Sequence, residues 1–235
     1  MSKNSNYESW KNWDLNSFGK TSKFEKAYFD NITKLLRLKE SSKILEIGFG
    51  NGSFMAYAYG KKFNYDGVEE NENLVNFALE KNFSAFNSID SIRNKSKYDL
   101  IALFDVIEHI HEDEIESFLK MLSIHLEDSG SIFMRFPNGS SPFGLDNQHS
   151  DITHCSIVTL SKLNYWCFNS NLKVKASRGC VEPFIFKHDY FKMPSRLVKL
   201  ILYRIIEKLV RLIFIQSKGI LSANLEVVIQ KNNES

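Results

Sequence analysis

The run Ile44-Leu45-Glu46-Ile47-Gly48-Phe49-Gly50-Asn51-Gly52 decides how this chain is read. Ile44–Ile47 is a short strand that breaks into a glycine turn, and a helix is predicted to leave that turn over 53–60. Glycines at a strand-to-helix turn let the backbone pass close to a ligand, and the start of the helix offers free N–H groups. The glycines stand at 48, 50 and 52, with Ser53 next, so the spacing departs from the Gly-x-Gly-x-x-Gly of dinucleotide folds. Glu46 before the turn would repel a pyrophosphate and can anchor an ammonium group.

Working outward, Tyr65-Asp66-Gly67-Val68-Glu69 reads as a second strand, followed by a helix over 71–80 with Leu74, Phe77 and Ala78 on one face. A weak third strand is expected near 83–86 and a strong fourth over 99–104, running into Asp105-Val106-Ile107-Glu108-His109. A helix over 114–126 and a fifth strand over 130–136 come next. After a loop at 137–153 the pattern continues with a helix (159–168), a strand (173–176), a long helix (194–215) and a closing strand (224–229). Strands alternating with helices at this spacing predict an α/β fold, a mostly parallel sheet covered on both faces. An acid one strand–helix unit after the glycines, Glu69, is placed to bind both hydroxyls of a ribose. The alternative is that Glu69 and Glu70 only charge the start of the next helix; Glu70 reads as solvated.

The composition bounds what remains. The 235 residues, 43% hydrophobic and 25% charged, suit one globular domain. Within it, 1–40 form an aromatic arm (Tyr7, Trp10, Trp13, Phe18) and a helix over 24–36, and 41–182 form the core and its loop. An amphipathic helical insert at 187–218 and a closing segment at 219–235 complete the chain. A net charge of +2 excludes a partner held by DNA-phosphate attraction, so no nucleic-acid partner is expected. That figure is a cancellation: 105–128 carry a net −7 and 187–218 a net +6. The start shows no secretory pattern, no stretch reaches the length of a membrane span, and Cys155, Cys167 and Cys180 lack C-x-x-C spacing. A cytoplasmic, reduced protein without a disulfide framework or structural zinc is expected.

On Lys43–Phe54, Gly67-Val68-Glu69 and Tyr98–His109 the chain resembles the class I S-adenosylmethionine-dependent methyltransferases. Asp105-Val106-Ile107-Glu108-His109 is similar to the O-methyltransferases of ubiquinone biosynthesis. Arg135–Gly144, Asp151-Ile152-Thr153-His154, Trp10-x-x-Trp13 and Phe18-Gly19 resemble methyltransferases of bacterial surface-polysaccharide (O-antigen or capsule) clusters. The resemblance implies a Rossmann-like, seven-stranded sheet whose last strand is antiparallel, and S-adenosyl-L-methionine as cofactor. It implies that Gly48 and Gly50 approach the cofactor backbone, Glu46 holds the methionyl ammonium, and Glu69 takes the ribose. Ser88 and Ile89 would border the adenine, flanked by Asn87 and Asp90, and Phe104 and Asp105 would line the methionine side.

Methyl transfer from a sulfonium is an in-line displacement that gains most from positioning, and a hydroxyl acceptor gains further from a base. Histidine suits that role near neutral pH. Of six histidines, His125 and His188 read as structural or solvated. His109 and His111 follow the fourth strand and His149 and His154 the fifth, so both pairs could face one cleft at the carboxyl ends of the strands. His154 is the favoured base, with Asp151 and Thr153 near enough to orient its ring; the alternative is that it caps a helix or holds the loop. His109 is either catalytic or a structural hydrogen-bonder. Asn138, Ser140 and His149 are candidate acceptor-binding residues, Asn138 and Ser140 otherwise forming turns with Ser141. Asp146, His149, Asp151 and His154 could hold a divalent ion, but no spacing is diagnostic and no metal is expected.

Over 195–215 polar Arg196, Lys199, Arg204, Glu207, Lys208 and Arg211 alternate with aliphatic residues at helical spacing. The apolar face is expected first to pack on its own domain; an anionic membrane surface or a homodimer interface are the alternatives. The function read from all this is methyl transfer from S-adenosylmethionine to a small polar acceptor, an oxygen of a sugar, nucleotide sugar or glycan. A NAD-dependent oxidoreductase and a non-catalytic cofactor-binding or membrane-adaptor protein are the competing readings.

Overall fold

The computed structural model describes residues 17–92, 96–180, 193–214 and 219–232. Tyr7, Trp10, Trp13, His188 and the side chains of Arg196 and Lys199 lie outside the described residues.

Helix α1 (Lys23–Leu35) opens on a capping box: the Glu25 N–H donates to Ser22 Oγ at 3.1 Å, and Glu25 Oε2 accepts from the Ser22 N–H at 2.8 Å. Then follow β1 (Lys43–Ile47), α2 (Ser53–Gly60), β2 (Asn64–Val68), α3 (Glu72–Glu80) and β3 (Ala85–Phe86). The second half comprises β4 (Tyr98–Phe104), α4 (Ile115–Ile124), β5 (Leu126–Pro137), α5 (Leu145–His149) and α6 (Leu160–Asn169), closed by β6 (Leu172–Gly179), α7 (Met193–Phe214) and β7 (Asn224–Lys231). The strands form one seven-stranded sheet in the order β3-β2-β1-β4-β5-β7-β6. Pairings among the first five are parallel, and β7 runs antiparallel to both β5 and β6. The expected architecture is therefore present, including the reversed last strand.

The period-two alternation of β4 explains the layers. Ile101 and Leu103 face one core cluster with Ile115, Leu119 and Leu122 of α4 and Trp166 of α6. Leu100 and Ala102 face the other, with Phe29 and Ile32 of α1 and Phe54 and Met55 of α2. Each fully buried Leu, Ile, Met or Phe side chain among these contributes roughly 1.5–3 kcal/mol. Register carries the fold to the site: Ile47 pairs with Val68 on one side and with Leu103 on the other. The chain therefore leaves β1, β2 and β4 at one edge of the sheet, bringing Gly48, Glu69 and Asp105 to that edge.

Three expectations change. The third strand has only two residues. The segment after Pro137 is no bare loop, for Ser141 caps a single turn at Pro142–Gly144 that leads into α5. The apolar face of the 195–215 helix does not pack on its own domain: Leu197, Ile201, Leu209 and Leu212 are 50–83% exposed.

Candidate active site

The glycine turn holds backbone that other residues avoid. Gly48 (φ +70°) donates its N–H to Val68 O at 2.8 Å, and a Cβ there would lie 2.8 Å from Val106 Cγ2. Gly50 (φ +49°) aims its N–H at Glu69 Oε2, 3.0 Å away. The other oxygen of Glu69 accepts from the Asn71 N–H at 3.2 Å, so two backbone donors orient this acid. Burial raises the pKa of Glu69, and those N–H groups oppose the rise.

Glu46 lies one layer deeper, 3% exposed, accepting a hydrogen bond from the Tyr65 hydroxyl. Burial pushes its pKa up to about 8; the Tyr65 bond lowers it and the nearby Glu69 charge raises it. Two acids at one strand edge, each penalised for being charged, make a site that a cation would relieve.

Asp105 follows β4 in the left-handed region (φ +56°) and donates its N–H to Arg135 O at 2.8 Å. Its carboxylate is held by Arg135, Nε to Oδ1 at 3.1 Å with a second contact from Nη2. The guanidinium lies over the Tyr28 and Phe104 rings, 5.6 and 5.5 Å from their centroids. Burial works against its charge, but Asp105 more than compensates, so the pKa of Arg135 rises. Arg135 was no candidate on sequence; a lone cation between the apolar residues of the fifth strand was the available signal. Ser88 and Ile89 stand just past β3 at the same edge, Ile89 buried and opening a single helical turn. Asn87 accepts from the Ser91 hydroxyl at 3.1 Å, while Asp90 is exposed.

On the other side of Asp105, two segments distant in sequence are tied together. The Cys155 and Ser156 N–H groups donate to Glu108 O at 2.9 and 3.1 Å, and the Ser156 hydroxyl bonds Ile110 O. This brings His109 and His154 edge-to-face, ring centroids 4.7 Å apart. His154 Nδ1 lies 2.9 Å from the Gln148 carbonyl and must donate to it, which leaves the lone pair on Nε2. That Nε2 is 3.8 Å from Asp151 Oδ2 and 4.0 Å from an oxygen of the fully buried Glu108. The Thr153 hydroxyl donates to Asp151 Oδ1 at 2.6 Å, so it accepts from His109 Nδ1 at 3.0 Å and the His109 lone pair is also on Nε2.

The structure thus gathers His109, Asp151, Thr153 and His154, as the sequence suggested, and adds Glu108. His111, Asp146 and His149 are exposed and are not drawn into this cluster, so the loop-borne divalent-ion set is not assembled. Ligand atoms of Glu108, His109 and His154 instead lie within 4.8 Å of one another. Asn138 is withdrawn as an acceptor contact. It is fully buried, its amide donates to Ile220 O at 2.8 Å, and its oxygen accepts from the Ser140 N–H and hydroxyl. Ser140 remains exposed beside it. A shallow depression lined by Lys97, Ser123, Asn171 and Lys231 lies at the opposite edge of the sheet, remote from all these groups.

A family model described as a methyltransferase domain matches residues 21–177. The chain belongs to the methyltransferase-domain family. Solved structures agree on the fold of this methyltransferase. An S-adenosylmethionine-dependent methyltransferase from Archaeoglobus fulgidus aligns with TM-score 0.64 and 18% identity over 98% of this chain and 100% of that one. The plantazolicin methyltransferase BpumL in complex with S-adenosylhomocysteine gives 0.57 and 19% over 98% and 89%. The O-methyltransferase of a Brevibacillus brevis polyketide multienzyme, also with S-adenosylhomocysteine, gives 0.52 and 16% over 85% and 71%. No curated protein matches the chain.

S-adenosylmethionine is the cofactor, and neither the oxidoreductase nor the adaptor reading finds support. The residues fit the molecule. Its ammonium is the cation that the buried Glu46 lacks, and the paired Gly50 N–H and Glu69 carboxylate suit a ribose. The carboxylate of Asp105, by contrast, is committed to Arg135, so this residue shapes the turn through its backbone.

Proposed function

We propose that this methyltransferase O-methylates a small polar acceptor in the cytoplasm, a sugar, nucleotide sugar or glycan intermediate of bacterial surface polysaccharide. The observation that carries the reading is the His109–His154 pair, two imidazoles edge-to-face at 4.7 Å with each Nδ1 fixed by a hydrogen bond, beside the edge where the acids and glycine turn receive the cofactor. S-adenosylmethionine supplies an electrophilic methyl group, and the chain's part is to hold the acceptor in line and take its proton. A neutral hydroxyl needs a base as its oxygen attacks, worth about 10²–10⁴-fold. His154 takes that proton on Nε2, and the carboxylates of Asp151 and Glu108 stabilise the resulting imidazolium. Asp151 also locks Thr153, which sets the His109 ring. A hydroxyl-rich acceptor suits this segment, on which Ser140 and His149, between β5 and His154 in the chain, are exposed hydrogen-bonding groups.

The test is a mass-spectrometric screen of activated sugars and glycan intermediates with labelled S-adenosylmethionine. A labelled methyl on a carbohydrate supports the proposal; transfer confined to amine or carbon acceptors refutes it.

A further inference from the structure

Helix α7 turns its apolar face outward. Nine aliphatic side chains between Leu197 and Ile213 are 47–83% exposed. At about 3.6 residues per turn they fall on one half of the helix circumference. The half turned toward the domain carries Tyr203 and Glu207. The Tyr203 hydroxyl donates to the Leu221 carbonyl, and its ring packs 5.4 Å from that of Phe143. Glu207, its side chain 14% exposed, is held by Arg204 at 3.0 Å and Arg211 at 2.9 Å. An apolar strip running from Leu197 to Ile213, about 25 Å at the helical rise, exceeds the scattered hydrophobes of an ordinary surface.

We propose that this face docks the enzyme on an anionic lipid bilayer, the helix lying in the plane of the headgroups. No helix among the described residues is long and apolar enough to cross a membrane, so the helix lies on the surface rather than spanning it. Charge selects the occupant. The helix carries five cations against the single acid Glu207. Exposed Lys208 follows Arg204 along one border of the apolar strip, where its stem can lie on lipid while its charge reaches a phosphate. A second copy would be a poor fit. Arg204 and Lys208 stand near mid-helix, so a two-fold axis would set them against their own equivalents, and the one acid is already shared by two arginines.

Docking has a consequence for the site. Phe143, which Tyr203 grips, belongs to the segment that leads through α5 to His154, so a membrane-laid α7 holds the acceptor mouth close to lipid-borne substrates. That consequence rests on the acceptor reading; the docking itself is tested without any acceptor.

The experiment is flotation of the full chain with phosphatidylcholine vesicles, with or without phosphatidylglycerol. Binding is expected only with phosphatidylglycerol and weakens as salt rises. Lys208→Gln should weaken it about fivefold, and Leu202→Glu with Leu209→Glu at least tenfold. An unchanged thermal shift with S-adenosylhomocysteine certifies the fold of each variant. The proposal is overturned if the chain ignores anionic vesicles or if the double variant floats like the parent. It is equally overturned if the parent elutes as a dimer that the double variant reduces to a monomer.

Discussion

Replacing Glu46 by Gln separates the two consequences of burying this acid. A carboxyl whose pKa stands near 8 in the fold, against an ordinary 4.5, binds more protons folded than unfolded. Its contribution to stability is therefore fully present below 4.5 and is lost as pH rises towards about 8. At pH 7 the protonated, buried acid costs at most roughly 3 kcal/mol relative to the solvated chain. Gln has the same shape, can accept the Tyr65 hydroxyl and does not titrate. Ligand-free Glu46→Gln should therefore be the more stable protein at pH 7, by up to about 3 kcal/mol, with the difference closing towards pH 4.5. Cofactor affinity should move the other way. A hydrogen bond between charged partners contributes about 1.5–3 kcal/mol, so the variant should bind S-adenosylhomocysteine roughly 10–100-fold more weakly. Parent affinity should also climb with pH towards about 8 as Glu46 ionises, and the variant should lack that dependence. Urea denaturation and calorimetric titration across pH read both quantities. A variant that binds like the parent with the same pH profile, or that is less stable at pH 7, refutes the reasoning.

Other substitutions probe the remaining groups. His154→Ala should lower turnover about 10²–10⁴-fold with S-adenosylhomocysteine affinity nearly intact, read by steady-state kinetics and calorimetry. A chelator should leave parental turnover unchanged; loss on chelation, restored by a divalent ion, would move acceptor activation onto a cation held by Glu108, His109 and His154. Gly48→Ala forces a Cβ to within 2.8 Å of Val106 Cγ2 at φ +70°, so it should cost about 1–3 kcal/mol in thermal unfolding and abolish cofactor binding. Arg135→Lys keeps the charge but loses the two-pronged grip on the partly exposed Asp105, and should cost about 1 kcal/mol in denaturant unfolding.

Much of the fold was legible because its signals are local. The glycine run, the acid closing β2 and the alternation of β4 each lie within a few residues, and strand order follows once they are joined by helices. Glu46 and Glu69, one strand–helix unit apart in the chain, come to one edge for the same reason. What escaped depends on distance. Glu108 sits inside the quoted Asp105–His109 run, yet its neighbour across the site is His154, on another loop. Arg135 faces Asp105 across 30 residues, and Asn138 is satisfied by the Ile220 carbonyl 82 residues away. The period of α7 fixed which residues share a face but not which way that face points; the Tyr203–Leu221 bond sets that.

Whether the methyl group lands on oxygen is read from the product itself. With carbon-13-labelled S-adenosylmethionine and the acceptor found by screening, nuclear magnetic resonance distinguishes a methoxy group from an N-methyl or C-methyl product. A single methoxy signal that fades in His154→Ala is expected. A methyl group on nitrogen or carbon, or a methoxy signal of undiminished rate in that variant, would contradict O-methylation with His154 as base.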